Sequence, residues 1–216
     1  MENRIIIFHG SERIIEKPEY GKGRINKDFG RGFYCTEDIE LAKEWACDEN
    51  HGGYANKYEL NLDNLKVLDL CGNQYSIIHW ISVLLCNRRF TVDFDLAKQA
   101  RNHIIINFPV VTSAYDIIKG YRADGAYGLL ISDFLHGRIS VRRLIQMMNR
   151  ENQTPQIVLI SEKAFSQIWF IEAEEASKDI YFANRMKRDE TIMADYLYSG
   201  TMNTYSDKDK FMVDFI

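Results

Sequence analysis

The residues best suited to chemistry lie in and just after the stretch DFGRGFYCT, residues 28–36. Tyr34 belongs to a short run of aromatic and β-branched residues that predicts a strand. Trp45 follows eleven residues later, on a predicted helix. A strand followed by a helix can bring two aromatic rings to one cleft, where facing rings would hold a flat heterocycle by stacking. The alternative is that both rings belong to the core, which is the commoner place for such side chains.

Glycines flank an arginine inside this stretch, in the order Gly30, Arg31, Gly32. Glycine permits positive φ and a close approach of the backbone to a ligand, so a binding loop is predicted here. The guanidinium of Arg31 suits a phosphate, although a solvated loop arginine is an equally ordinary interpretation. Thr36 is predicted to cap the N-terminus of the following helix, whose first turn would carry Glu37 and Asp38.

Length and composition indicate one globular chain with a substantial core. The 216 residues are 46% hydrophobic and 27% charged, with a formal net charge of −4. The charge gives no general drive toward nucleic acid or membranes, although a local basic groove stays open. The apolar run at the N-terminus is too short for a signal peptide, and no run reaches the length of a membrane span. A cytoplasmic location is therefore expected, with four reduced cysteines that lack C-x-x-C spacing.

Strand and helix patterns mix along the chain without strict alternation, which favours an α+β fold over a doubly wound α/β fold. Strands are predicted at 4–9, 33–36, 54–60, 65–70, 115–118, 156–160 and 168–171. Helices are predicted at 38–47, 74–89, 94–106, 126–135, 141–149 and 178–198. The chain is interpreted as one domain over residues 1–175, with a helical C-terminal appendage over 176–216 packed on that domain.

Three motifs follow one another along the sequence. The first is His9 and Gly10 at the end of the first predicted strand, and the second is the 30–36 stretch, followed by Trp45. The third is Gln156, the first residue of a late predicted strand. Together they resemble the ADP-ribosyltransferase superfamily, which includes diphtheria toxin and the poly(ADP-ribose) polymerases. The resemblance covers residues 4–160, and the chain also resembles a bacterial branch of the superfamily whose third signature residue is glutamine. It implies split mixed β-sheets with flanking helices and an NAD cleft between them.

The resemblance also implies an activity. NAD would be the co-substrate, the bond between nicotinamide and ribose would be cleaved through an oxocarbenium-like transition state, and the enzyme would be a pentosyl-transferring glycosyltransferase. His9, Tyr34 and Gln156 are implied as catalytic residues, and no metal is implied. The implied NAD-binding residues are His9, Gly10, Ser11, Arg31, Tyr34, Thr36 and Trp45.

Gln156 departs from the glutamate that is usual in the superfamily. Glutamine keeps a hydrogen bond to a ribose hydroxyl but lacks the negative charge that would offset the oxocarbenium. A unit charge at roughly 5 Å, with an effective dielectric constant near 20, contributes on the order of 3 kcal/mol. The acceptor cannot be inferred by analogy either, because Thr154 and Pro155 precede Gln156 where the toxins carry an acidic or amide residue.

Three functions follow as hypotheses. The first is a mono-ADP-ribosyltransferase that modifies an intracellular macromolecule, either protein or nucleic acid. It would act as a bacterial toxin or defence effector, with a neutralising antitoxin as a candidate partner. The second is a catalytically inactive binding module on the same fold. The third is a nucleic-acid binder, for which a solvated face is the stronger interpretation. It would use scattered basic residues, namely Arg142, Arg143, Arg150, Arg185, Lys187 and Arg188.

Overall fold

The computed structural model describes residues 3–149, 154–200, 205 and 207–215 and has an α+β architecture with two β-sheets. Its strands are β1 (Arg4–Ser11), β2 (Phe33–Cys35), β3 (Gly53–Asn61), β4 (Val67–Asp69), β5 (Ile117–Gly120), β6 (Gln156–Leu159) and β7 (Ile168–Ala176). The helices within the described ranges are α1 (Ile39–Ala46), α2 (Ile77–Asn87), α3 (Asp95–Asn107), α4 (Ala126–Leu135), α5 (Val141–Met148), α6 (Glu162–Phe165) and α7 (Lys178–Gly200). Short 3-10 turns occupy Thr112–Ala114 and Met212–Phe215.

The first sheet is an antiparallel arrangement of β1, β3 and β7, with β3 in the middle. Alternate residues of a strand point to opposite faces, so one face of this sheet is apolar. Ile7, Tyr58 and Leu60 are fully buried on that face and pack with Phe33 and other residues of the second sheet. This cluster holds the two sheets together.

The second sheet has the strand order β2–β6–β5–β4, in which only the β4–β5 pair is parallel. Its central strands, β5 and β6, are buried on both faces. Ile117 and Ile157 face the first sheet, whereas Ile118 and Val158 face the larger core formed with the helices. Continuous apolar runs are typical of strands covered on both sides.

The two sheets meet where β1 passes β2. Phe8 and Thr36 exchange backbone hydrogen bonds here, with Phe8 N 2.7 Å from Thr36 O and Thr36 N 3.0 Å from Phe8 O. This bridge places the end of β1 beside the end of β2. Residues at those strand ends, including His9 and Tyr34, are therefore neighbours although they belong to different sheets.

Helix α1 follows this junction, but its N-cap differs from the predicted one. The Asp38 carboxylate accepts hydrogen bonds from the backbone N–H groups of Glu40 and Leu41, and the helix begins at Ile39. Thr36 was the wrong choice because its backbone belongs to the bridge with Phe8, two residues before the helical turn. Its hydroxyl accepts a hydrogen bond from the Asp38 N–H instead.

The C-terminal helix α7 packs on α1 and α4. Arg188 of α7 forms an ion pair with Glu44 of α1, and both side chains are largely buried. Asp189 lies against Gly125, just before α4, where a larger residue would collide with its carboxylate. These contacts fix α7 beside the helix that carries Trp45.

Most predicted elements are present within a few residues of their predicted bounds. Strand β5, for example, begins at Ile117 rather than at Tyr115. The exceptions are the unpredicted short helix α6 and β7, which extends to Ala176. Strands β3 and β4 are consecutive in the chain, yet they belong to different sheets. Across the described ranges, no helix combines the length and the apolar character that a membrane span requires.

Candidate active site

A cleft of about 1290 Å³ lies at the junction of the two sheets. Six residues predicted to bind NAD or to act in catalysis line it, namely His9, Gly10, Ser11, Tyr34, Trp45 and Gln156. They come from β1, β2, α1 and β6, four elements that are widely separated in the sequence. The fold therefore assembles most of the predicted site in one place.

His9 is held in a defined tautomer. Its Nδ1 atom lies 2.7 Å from the backbone carbonyl oxygen of Tyr34, and its ring stacks on Phe33 with centroids 4.3 Å apart. Since a carbonyl only accepts, Nδ1 carries the proton and Nε2 is left as a hydrogen-bond acceptor. Burial lowers the pKa of His9 despite the hydrogen bond to Tyr34, and the nearby Lys27 lowers it further. A neutral imidazole therefore lines the cleft at neutral pH.

The ring of Tyr34 is fixed through its hydroxyl group. That hydroxyl donates to the carbonyl of Gly30 at 2.7 Å and accepts from the N–H of Phe29 at 3.0 Å. Burial raises the pKa of Tyr34, so the phenol stays protonated. Because the hydroxyl is engaged with the loop that begins at Asp28, the ring surface is what Tyr34 can offer to a ligand.

Trp45 lies on α1 and lines the same cleft as Tyr34. Its ring nitrogen Nε1 is buried and has no hydrogen-bond partner among the described residues. Neither Trp45 nor Tyr34 is paired with another aromatic ring in the described part of the chain. An unpaired ring that lines a cleft is available for stacking against a bound heterocycle.

Gln156 opens β6 and pairs with Gly120 of β5. Its side-chain nitrogen Nε2 donates to the Asp28 carboxylate at 2.8 Å and lies 3.4 Å from the carbonyl of Tyr121. Its oxygen Oε1 accepts no hydrogen bond from the residues that the structure describes. Gln156 is only 6% exposed, so this acceptor belongs to the wall of the cleft rather than to the outer surface.

Gly10 lines the cleft, and the packing of helix α1 requires glycine at this position. A Cβ atom at this position would lie 2.0 Å from the carbonyl oxygen of Ala42 and 2.9 Å from the Cβ atom of Trp45. The missing side chain therefore admits helix α1. The close packing of β1 against α1 brings Trp45 to the cleft.

Ser11 is tied to its neighbours by a buried asparagine that sequence reasoning missed. Asn56 is fully buried on β3, and its Nδ2 donates to the Ser11 hydroxyl at 3.0 Å and to the His9 carbonyl at 3.1 Å. Its Oδ1 accepts from the Ile15 N–H at 2.8 Å. Asn56 thus fixes the end of β1 and the first residues of the next loop. The sequence signal, a lone amide among strand residues, was present but unspecific.

Two predicted NAD-binding residues lie outside the cleft. Thr36 is fully buried in the bridge with Phe8, so no ligand can reach its side chain. Arg31 is exposed and does not line the cleft. Of its flanking glycines, Gly30 does take positive φ, at 74°, whereas Gly32 packs against Val158 of β6. Neither the Thr36 nor the Arg31 side chain therefore belongs to the cleft wall, and their NAD-binding roles stay predictions that this geometry does not support.

Basic side chains that sequence analysis did not single out as NAD ligands line the cleft in their place. Four of them have no ion pair among the described residues, namely Arg13, Arg24, Lys27 and Arg185. Three lie in the polar loop between β1 and β2, and the fourth comes from α7. Unpaired cations in a concave site attract anions, and arginine suits phosphate oxygens in particular. A polar loop gives no pattern from which this arrangement could be predicted.

Five of the six basic residues of the nucleic-acid hypothesis are described by the structure, and these five are not gathered on one surface. Arg142 pairs with Asp209, and the buried Arg143 donates to the carbonyl of Tyr196. Lys187 and Arg188 line a separate cavity of about 360 Å³, while Arg185 belongs to the cleft. Arg150 lies outside the described residues. The five described side chains therefore form no continuous basic patch.

The described residues contain no cluster of three or more histidine, cysteine or acidic side chains that could hold a metal ion. All four cysteines are free thiols. Cys35 is completely buried, and burial raises its pKa well above the ordinary value for a thiol. It is therefore an unreactive core residue.

Comparison with known proteins gives a family but no named activity. A family model described as a protein of unknown function (DUF3990) matches residues 5–170, and the chain therefore belongs to this family. The match includes every predicted catalytic residue and ends before α7 begins at Lys178. Neither a curated protein sequence nor a solved structure matches the chain.

Proposed function

For this member of the DUF3990 family, we propose the function of an NAD-dependent mono-ADP-ribosyltransferase. It would transfer ADP-ribose to a protein or nucleic acid inside the cell, as a bacterial toxin or defence effector does. One observation carries the proposal: His9, Tyr34, Trp45 and Gln156 line a single cleft together with four unpaired cations. This set offers stacking surfaces, hydrogen-bond acceptors and phosphate ligands, which are the three things that NAD requires.

Each side chain has a role that its surroundings support. Tyr34 and Trp45 would hold the nicotinamide ring between them. The Nε2 atom of neutral His9 would accept a hydrogen bond from a ribose hydroxyl. The diphosphate of NAD would lie among the unpaired cations of the cleft.

The reaction breaks the bond between the nicotinamide nitrogen and C1 of the ribose. The bonding electrons leave with nicotinamide, and a nucleophilic atom of the acceptor forms the new bond to C1 as it loses its proton. Gln156 Oε1 would accept a hydrogen bond from the nicotinamide-side ribose. An acceptor dipole at this point stabilises positive charge that develops on the sugar, although less than a full negative charge would.

The test is the release of nicotinamide by the purified full chain. With NAD and a cell lysate, labelled ADP-ribose should become attached to a macromolecular fraction, and free nicotinamide should appear at the same rate. Digestion of the labelled fraction with protease or nuclease identifies the class of acceptor. Gln156→Ala should lose most of the rate while it keeps NAD binding.

The same experiment distinguishes the proposed enzyme from the alternative function, a catalytically inactive binding module. Gln156 motivates this alternative, since an amide cannot supply the charge of a glutamate. Saturable NAD binding by calorimetry without release of nicotinamide, in every lysate fraction, would favour the binding module. Absence of NAD binding would contradict both functions.

A further inference from the structure

Asp28 lies at the centre of a buried hydrogen-bond network beside Gln156. Its carboxylate is 9% exposed and receives three kinds of donor. The Oδ2 atom accepts from Gln156 Nε2 at 2.8 Å and from the Ala123 N–H at 2.9 Å, and Oδ1 accepts from Arg88 Nη1 at 2.8 Å. The same Arg88 nitrogen donates to the Ala123 carbonyl at 2.7 Å. Three distant segments thus converge on one side chain.

The network fixes which way the Gln156 amide points. A carboxylate oxygen accepts hydrogen bonds but does not donate them, so the NH₂ group of Gln156 must face Asp28. The carbonyl of Tyr121 lies on the same side and also only accepts. With the nitrogen held by two acceptors, Oε1 is the atom that Gln156 presents to the cleft. The free rotor of an ordinary glutamine is therefore locked in one orientation.

The position of Asp28 is itself enforced by the neighbouring residue. The ring of Phe29 lies over Gly120, where an added Cβ atom would come within 2.4 Å of the ring. Gly120 is the residue that pairs with Gln156 across β5 and β6. Glycine at position 120 therefore lets the loop sit directly on the strand pair and brings Asp28 beside the Gln156 amide.

We propose that Asp28 is a positioning residue for the transfer reaction, which holds Gln156 with its carbonyl oxygen toward the ribose. This inference rests on the proposed function. A hydrogen bond from an amide N–H to a carboxylate polarises the amide and makes its oxygen a stronger acceptor. Asp28 also lines the cleft, but both of its oxygens are engaged by these protein donors, so it improves through Gln156 the group that faces the developing positive charge.

The same geometry explains why glutamine is suited to position 156. A glutamate side chain of the same length would bring a second carboxylate to about 3 Å from the first, where two like charges do not both stay ionised. The amide nitrogen of glutamine donates a hydrogen bond to Asp28, and its carbonyl oxygen remains available as an acceptor in the cleft. Within this network, the amide is the neutral group that completes the hydrogen bonding.

The test is a double-mutant cycle on nicotinamide release. Asp28→Asn has the same shape but removes the carboxylate. At saturating NAD, we expect the maximal rate to fall roughly 10- to 100-fold, by analogy with the loss found when a residue that orients a metal-binding side chain is removed. The KM for NAD should change less than about threefold, because the interaction matters mainly in the transition state. In a Gln156→Ala background, Asp28→Asn should have no further effect on the rate.

Asp116→Asn is the matched control. The Asp116 carboxylate also connects separate segments, because it accepts hydrogen bonds from the Lys66 N–H and the Ser161 hydroxyl. Asp116 does not line the cleft. Its loss should lower the melting temperature but leave the rate within about twofold of wild type, since it touches no cleft residue. If Asp28 had a structural role alone, Asp28→Asn would lower the rate equally in the wild-type protein and in the Gln156→Ala variant, and that result overturns the proposal.

A spectroscopic measurement on the wild-type protein covers the case in which Asp28→Asn fails to fold. The side-chain ¹⁵N–¹H signals of Gln156, identified by their loss in Gln156→Ala, should lie apart from those of exposed amides. Signals at the positions of exposed amides overturn the contact. If the wild type turns over and Asp28→Asn is equally fast, the positioning role is overturned and the proposed function is not. A wild type without turnover overturns the proposed function, and the positioning role with it.

Discussion

The Nδ1 atom of His9 donates a hydrogen bond to the backbone carbonyl of Tyr34 at 2.7 Å. His9 lies near the end of a strand in one sheet, and Tyr34 lies in a short strand of the other. The bond therefore joins two candidate catalytic residues across the junction between the sheets. It also leaves Nε2 of the imidazole as the acceptor that faces the cleft.

The pH dependence of stability should report on His9. Burial lowers its pKa in the folded protein below 6.5, the ordinary value, so the unfolded chain binds the proton more tightly. Stability is then fully present above pH 6.5 and falls as the pH drops toward the folded pKa, by about 1.4 kcal/mol per unit of difference between the two pKa values. Chemical unfolding from pH 7 to pH 5 should show a smaller loss for His9→Gln than for wild type. His103→Gln, on α3, is the control and should follow wild type.

Removal of either candidate stacking ring should weaken NAD binding. We expect Tyr34→Ala and Trp45→Ala each to cost about 1–3 kcal/mol by titration calorimetry, because each removes one face of the stack. The Tyr34→Phe variant distinguishes the contribution of the ring from that of the hydroxyl group. It keeps the ring but loses the bonds to Gly30 and Phe29, so it should lower stability with little effect on affinity. Wild-type affinity in both alanine variants would return the rings to ordinary packing roles.

The unpaired cations of the cleft should contribute to affinity for the diphosphate. Arg24→Ala and Lys27→Ala are each expected to weaken NAD by about 1.5–3 kcal/mol, the usual value of a hydrogen bond to a charged group. The loss should shrink as salt is raised, because screening weakens the same interaction in the wild type. Lys22→Ala is the control, since Lys22 lies on the same loop but outside the cleft, beside Glu19. An equal effect of all three substitutions would point to general charge rather than to a site.

Gln156→Glu should make stability depend on pH. The new carboxyl would lie about 3 Å from that of Asp28, so one member of the pair would take up a proton at a pH above the ordinary value of about 4.3 for glutamic acid. The folded protein then binds more protons than the unfolded chain between that ordinary value and the raised pKa, and stability falls as the pH rises through that window. Melting temperatures at pH 5 and pH 8 should show a larger deficit at pH 8. Gln146→Glu, an exposed position on α5, should show no such difference.

Local sequence patterns were sufficient to predict most of the helices and strands. The apolar spacing of α2, α4 and α5 and the β-branched run of β6 follow from short-range periodicity, and these elements were predicted close to their observed bounds. The assignment of strands to sheets could not be predicted in the same way. Strands β3 and β4 are consecutive but separate, because β3 pairs with β1 and β7 whereas β4 pairs with β5. Pairing is decided by contacts distant in sequence.

The site shows the same division. Tyr34 and Trp45 were named from their residue types and spacing, whereas His9 and Gln156 were named from the resemblance to ADP-ribosyltransferases, and all four line one cleft. Thr36 and Asp38 are both competent helix caps, and only the bridge to Phe8 decides between them. The partners of Asp28 lie at the end of α2 and after β5, so no local pattern connects them. Networks closed by long-range contacts need the fold before they can be seen.

Helix α7 lies beyond residue 170, where the match to the family ends, yet its Arg185 lines the cleft and its Arg188 holds α1. The described cleft is thus lined by segments within the family match and, from outside that match, by Arg185 of α7. A chain of this family that carried a different helix here would keep its two sheets and its aromatic pair. Such a chain would have different side chains beside the cleft in place of Arg185. Under the proposed function, it would then accept a different macromolecule while the transfer reaction stayed the same.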